Sequence, residues 1–135
     1  MPNQVLCVED DFISQMLMKQ ILKKTSFANN IHVTSNGSEA LNYYETLYKT
    51  GDFSNYPRLV LLDLNMPVIN GWEFLDEFTD SYWPHFKDTK VAILTSSIDN
   101  EDKKRAAKYP IITDFLVKPL TLEMIERLKL KVTEL

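Results

Sequence analysis

The sequence predicts an α/β domain built on a five-stranded parallel sheet, on three observations. Short apolar runs alternate with five segments that read as helices, most of them with apolar residues at helical spacing. The run Leu59–Leu62 is uninterrupted, as expected of a strand buried on both faces. Strands buried in this way and alternating with helices imply parallel pairing, right-handed crossovers and helices on both sides of the sheet. The length of 135 residues suits one domain with a full core.

The elements follow in order. Gln4 to Val8 reads as the first strand. A helix follows from Phe12 to Lys24, where Ile13, Met16, Leu17 and Ile21 recur at helical spacing. Ile31 to Thr34 is a short second strand. Asn36-Gly37-Ser38 is turn and cap material before a helix whose face carries Ala40, Leu41, Tyr44, Leu47 and Tyr48. Gly51 to Pro57 reads as a loop, and Leu59 to Leu62 as the central strand. Asn70-Gly71 precedes a helix bearing Trp72, Leu75 and Phe78, and Ser81 to Thr89 is a loop around Pro84. Val91 to Leu94 is the fourth strand. Asp99 to Lys108 is a charged helix with Ala106 and Ala107 as its core contacts. Asp114 to Val117 is the fifth strand. Thr121 caps a final helix to Leu130 that turns Met124, Ile125 and Leu128 inward. No repeat, low-complexity tract or interdomain linker interrupts this series, so residues 1–135 are expected to form one domain with no output domain attached.

Composition excludes several function classes. The chain is 44% hydrophobic and 25% charged with a net charge of -4, which argues against a nucleic-acid face. No apolar stretch approaches the roughly 20 residues of a membrane span, and the N-terminus lacks the basic start of a secretory leader. The only cysteine, Cys7, sits inside a strand and reads as a small buried hydrophobe, consistent with a cytoplasmic protein.

The chemistry gathers at strand ends. The first strand is followed by Glu9-Asp10-Asp11 and the third by Asp63. Burying a carboxylate costs several kcal/mol unless a cation or donors compensate it. Ligands of open parallel sheets bind beyond the carboxyl ends of the strands. That edge also receives Thr95-Ser96-Ser97 from the fourth strand and Lys118-Pro119 from the fifth. Carboxylates, a hydroxyl and a lysine suit a hard cation and a phosphoryl group. Mg²⁺ prefers oxygen ligands and keeps several waters. Asp63 could then act as a nucleophile toward phosphorus, with Lys118 and Thr95 meeting the phosphoryl oxygens.

Plainer readings exist for several of these residues. Asp11 reads as a helix cap or rim residue, and Thr95, Ser96 or Ser97 could cap the fourth helix. Lys118-Pro119 in isolation would be a turn. His32 and His85 have no ligand-spaced partner. Tyr82, Trp83 and Phe86 around Pro84 read as a satellite cluster packing a loop.

Four segments together resemble the receiver domain of two-component response regulators. They are Val8-Glu9-Asp10-Asp11, Leu62-Asp63-Leu64-Asn65-Met66-Pro67 followed by Asn70-Gly71, Leu94-Thr95-Ser96, and Val117-Lys118-Pro119. The resemblance implies a flavodoxin-like doubly wound sheet of strand order 2-1-3-4-5. It implies Asp63 as the phosphoacceptor and Glu9, Asp10, Asp63 and the Asn65 backbone carbonyl as the Mg²⁺ site. Thr95 would be the switch hydroxyl, Phe115 the switch aromatic and Lys118 the phosphoryl-binding lysine. Gly71 fits the tight turn opening the third helix, and the family usually holds the bond before Pro119 cis. Two positions depart from the commonest pattern. Glu9 is longer than the Asp also found there, and Phe115 lacks a tyrosine hydroxyl. The loops after the second and third helices are long for the family.

The function so implied is a stand-alone receiver, not an enzyme beyond slow self-dephosphorylation. It would take phosphate from a sensor histidine kinase or phosphotransfer protein and signal to a downstream protein, as a monomer or a phosphorylation-dependent dimer. Asn65 and Ser96 sit where side chains could position an attacking water. A phosphatase of the haloacid-dehalogenase type would want a second Asp at position 65, where this chain has Asn. An adaptor that no longer accepts phosphate would not need the acidic set, Thr95 and Lys118. A flavin phosphate would be repelled by the carboxylates of the first loop.

Overall fold

The computed structural model describes residues 4–28, 30–51, 53–66, 69–96 and 99–133; Pro67 and Ser97, named above, lie outside them. The strands are β1 (Gln4–Val8), β2 (Asn30–Thr34), β3 (Leu59–Asp63), β4 (Lys90–Thr95) and β5 (Ile112–Val117). They form one parallel sheet of order β2-β1-β3-β4-β5, the doubly wound arrangement expected. The run Leu59–Leu62 lies within its central strand, and every residue of β3 is buried.

The helices are α1 (Phe12–Lys24), α2 (Gly37–Thr50), α3 (Gly71–Ser81), α4 (Asn100–Ala106) and α5 (Leu122–Thr133). Polar side chains satisfy their first-turn amides. Asp11 accepts from Ser14 N–H, Asn36 from Glu39, Asn70 from Glu73 within a full capping box, and Asp99 from Glu101. Thr121 Oγ1 accepts from Met124 N–H at 3.2 Å, as its cap position predicts. Asp99, rather than Thr95 or Ser96, caps α4, which is shorter than the charged run suggests.

Two cores flank the sheet. On one face α2, α3 and α4 cover Leu6, Val8, Val60, Leu62, Val91 and Ile93 with Tyr44, Phe74, Leu75 and Phe78. On the other, α1 and α5 cover Val5, Cys7, Leu59, Leu61, Ala92 and Leu94 with Met18, Leu22, Ile125 and Leu128. Each large apolar side chain so buried stabilises the fold by about 1.5–3 kcal/mol. The aromatics around Pro84 are not a satellite. Phe86 is fully buried in the first core, its ring packing on Tyr44, Tyr56 and Phe53, and Trp83–His85 form a short 3₁₀ turn that presents it.

Two local features depart from the sequence expectations. Of the four residues that identify α1 as a helix, Ile13, Met16 and Leu17 face outward and Ile21 packs partly buried against the sheet. Phe12, Ile13, Met16 and Leu17 are 67%, 60%, 42% and 50% exposed, while Met18 and Leu22 are buried. Apolar residues occupy more than one face of this helix, so spacing reveals the helix but not its rotation. Similarly, Ala106 of α4 is buried but Ala107 is exposed. Strand β5 begins two residues before Asp114 and contains a bulge. Val91 pairs with Ile112, yet Ala92 pairs with Asp114, which leaves Thr113 as an extra residue.

The outward rotation of α1 has a measurable consequence. Leu22→Ala should lower stability in urea unfolding by about 2–4 kcal/mol. Ile13→Ala and Leu17→Ala should each change it by no more than about 0.5 kcal/mol.

Candidate functional site

The carboxyl ends of the strands bring the acidic residues together. Strand pairing sets Val8 beside Leu62, so Glu9 and Asp63 emerge from adjacent strands. One carboxylate oxygen from each of Glu9, Asp10 and Asp63 lies within 4.8 Å of the others. Glu9 is fully buried and Asp63 nearly so, whereas Asp10 is exposed. From β5, Lys118 reaches in. Its Nζ is 2.5 Å from Glu9 Oε1 and 3.6 Å from Asp63 Oδ2. The Lys118 backbone N–H donates to Thr95 O at 2.8 Å, which ties the ends of β4 and β5 together. The Lys118–Pro119 peptide is cis.

Backbone amides and one glutamine fix the carboxylates. Asp11 N–H donates to Glu9 Oε2 at 3.1 Å, and Asn65 N–H donates to Asp63 Oδ1 at 3.1 Å. Gln15 Nε2 donates to the Glu9 carbonyl at 2.6 Å. Glu9 N–H donates to Thr34 O at 3.0 Å. The Gln15 contact was not legible in the sequence, because it depends on where α1 lies against β1. Gly71 is required by close approach: a Cβ there would sit 2.8 Å from both Asp63 O and Leu64 Cα. Its N–H donates to Leu64 O at 3.0 Å and closes the turn into α3.

Asp11 caps α1 through Ser14, as its plainer reading anticipates. Ser96 is exposed at the end of β4, and Thr95 is buried beside it. Phe115 is half-buried and packs against the α2–α4 core. His32 stacks on Tyr43, and His85 packs on Phe53 and Tyr48, so both are structural neighbours of aromatic rings away from the acidic cluster.

The electrostatics favour a cation. Three carboxylates face one ammonium, and two of the three are buried. Burial, followed by the nearby Glu9 charge, pushes the Asp63 carboxyl from 3.8 to about 7, against the opposing Asn65 N–H and Lys118. Burial pulls Lys118 down, but the hydrogen bond to Glu9 and the charges of Asp63 and Glu9 outweigh it and raise its pKa. Apart from the Lys118 ion pair, Glu9 Oε1 is buried with no hydrogen-bond donor. An all-oxygen set with excess negative charge fits Mg²⁺, which would be held by Glu9, Asp10, Asp63 and the Asn65 carbonyl.

A raised Asp63 pKa means that the native protein binds more protons than the unfolded chain between 3.8 and about 7. Its contribution to stability therefore falls as pH rises through that window. Asp63→Asn should melt higher than the native protein at pH 8, by roughly 1–2 kcal/mol of stability. The gap should close as pH falls toward 4 in thermal unfolding, and added Mg²⁺ should narrow it at pH 8.

Comparison with known proteins places this geometry. Residues 5–129 match the family model described as the response regulator receiver domain. The probable methanogenesis regulatory protein FilR2 of Methanothrix harundinacea is 32% identical over 126 residues, covering 93% of this chain and 78% of its own. A two-component response regulator from Cytophaga hutchinsonii superposes with a TM-score of 0.90 at 31% identity, covering 99% of this chain and 98% of that one. The response regulator Rcp1 of Synechocystis is 32% identical over 103 residues, covering 75% of this chain and 67% of its own. A crystal structure of Rcp1 in its Mn²⁺-bound form matches with a TM-score of 0.74 over 95% of this chain and 90% of that one. Sheet order, the acidic edge and the family match agree: this chain belongs to the response regulator receiver domains of two-component systems.

Proposed function

We propose that the protein is a phosphorylation-dependent switch in which Asp63 accepts a phosphoryl group from a phosphohistidine donor. The observation that carries this reading is the convergence of Glu9, Asp10 and Asp63 within 4.8 Å, with Lys118 3.6 Å from Asp63. An Asp63 oxygen attacks phosphorus, the P–N bond breaks, and its electron pair returns to the imidazole, leaving an acyl phosphate. Bound Mg²⁺ would supply charge neutralisation at the phosphoryl oxygens; the Mn²⁺ form of Rcp1 supports a divalent site here.

The chain's own residues divide the remaining work. Lys118 leaves Glu9 to pair with the phosphoryl group, and the buried Thr95 donates its hydroxyl to it. Inward movement of Thr95 opens space that Phe115 fills, which shifts the face made by α4, β5 and α5. Asn65 carries no acid, so the site suits a phosphoacceptor with slow self-dephosphorylation better than a turnover phosphatase.

The donor would approach over α1. Phe12, Ile13, Met16 and Leu17 form an exposed apolar stripe, and Leu122 at the start of α5 is 48% exposed. Leu17 also lines a small cavity with Ser14, Met18, Leu94, Lys118, Pro119 and Leu120, at the edge of the acidic cluster. Water-facing apolar side chains beside a reactive group suit an amphipathic helix of a partner.

Asp63→Asn should abolish Mg²⁺-dependent labelling by acetyl phosphate, read by mass; labelling that survives would remove Asp63 from the role. Ile13→Asp with Leu17→Asp should slow transfer from a phosphohistidine protein at least ten-fold. The same double variant should leave acetyl phosphate labelling within two-fold, because a small donor needs no docking surface.

A further inference from the structure

Helix α4 is short, polar and thinly anchored. Ala106 is its one buried residue. What holds it is a cluster around Trp72, the second residue of α3, a residue only 8% exposed. The Arg105 guanidinium lies 4.6 Å over the indole ring. Tyr109, just beyond α4, stacks on the same indole at 5.7 Å between centroids and 26° between planes. The indole N–H donates to Asp102 Oδ1 at 3.3 Å. A second line of contacts joins the same helices. Tyr109 OH donates to Asp76 Oδ1 at 2.6 Å, and Arg105 Nη2 stands 3.9 Å from Asp76 Oδ2. Residues 102, 105 and 109 therefore grip two positions of α3, 72 and 76, that are one helical turn apart.

We propose that Trp72 is the centre of a latch that fixes α4 on α3 and sets how readily the phosphorylated state forms. The inference rests on the phosphoacceptor reading above and assigns its regulation to residues outside the acidic edge. α4 is the next element after β4, whose last residue is Thr95, and starts five positions on at Asn100, so a displaced Thr95 would be felt at the N-terminal side of α4. Movement of α4 away from α3 has to break the cation–π, stacking and hydrogen-bond contacts together, because all of them share Trp72 or Asp76. The latch then favours the unphosphorylated arrangement. By linkage, weakening it must raise affinity for a phosphoryl group at Asp63, by at most the factor that it shifts the conformational equilibrium. The grip is geometrically specific. Lysine at 105 keeps the charge but loses the planar stack, and phenylalanine at 109 keeps the ring but loses the bond to Asp76.

The chain has two tryptophans, so Trp83→Phe leaves Trp72 as the only indole. In that protein, Mg²⁺ with beryllofluoride, a phosphoryl mimic, should change the Trp72 emission as Arg105 and Tyr109 leave the ring. Arg105→Ala at an exposed position and Tyr109→Phe at a half-buried one should each bind beryllofluoride at least three-fold more tightly by ¹⁹F NMR titration, with Mg²⁺ affinity unchanged. Unchanged Trp72 emission, or a gain below three-fold in both variants, overturns the latch while leaving the phosphoacceptor reading intact. Absence of any bound beryllofluoride signal in the native protein would instead overturn that reading, and the latch with it.

Discussion

The structure is organised around negative charge held where water is scarce. Two carboxylate charges within 4.8 Å of each other repel by at least about 3 kcal/mol at an effective dielectric near 20, and Glu9 and Asp63 are buried in addition. The fold tolerates this because β5 ends at the same edge and delivers Lys118, and because backbone amides of Asp11 and Asn65 each satisfy one carboxylate oxygen. The compensation is incomplete. Lys118 pairs with Glu9 and Asp63 at once, yet burial, followed by the Glu9 charge, still raises the Asp63 pKa. A site left short of positive charge is also one that gains from a divalent cation and from a ligand that brings the cation closer. The same imbalance that weakens the fold at neutral pH would favour a cation at this edge.

Much of the remaining architecture keeps those groups in register. Gly71 lets the chain pass within contact distance of the Asp63 carbonyl, and the Asn70–Glu73 capping box starts α3 immediately afterwards. Gln15 ties α1 to the carbonyl of Glu9. The parallel pairing of β1 with β3 and of β4 with β5 sets four strand tips side by side. None of these contacts involves a reacting atom, yet each limits how far the carboxylates can relax away from one another.

The sheet was legible because alternating buried runs leave few topologies, and the acidic edge was legible because strand ends face the ligand in such sheets. Helix rotation was less so. On α1, Ile13, Met16 and Leu17 have the right spacing for a core stripe, but Met18 and Leu22 meet the sheet. Hydrophobicity alone cannot separate a buried stripe from an exposed apolar one when both occur on one helix. Phe86 is a similar case: a loop aromatic enters the main core through contacts with Tyr44 and Tyr56 that are distant in sequence. Trp72 was read as a core residue of α3, which it is. Its second partnership, with Arg105 and Tyr109, depends on the placement of α4.

The extra residue in β5 decides more than local pairing. Because Thr113 has no counterpart on β4, the inward and outward positions exchange along the rest of the strand. Asp114 consequently lies on the side of α5, where Arg127 and Lys131 reach it, and Phe115 lies on the side of α4. Were Thr113 instead paired with Ala92 in a regular ladder, the parity would reverse, with the aromatic under α5 and the carboxylate among the aromatics and aliphatics of the α2–α4 core. Which layer of helices receives the aromatic, and which the carboxylate, is thus written into the chain by an offset of one position.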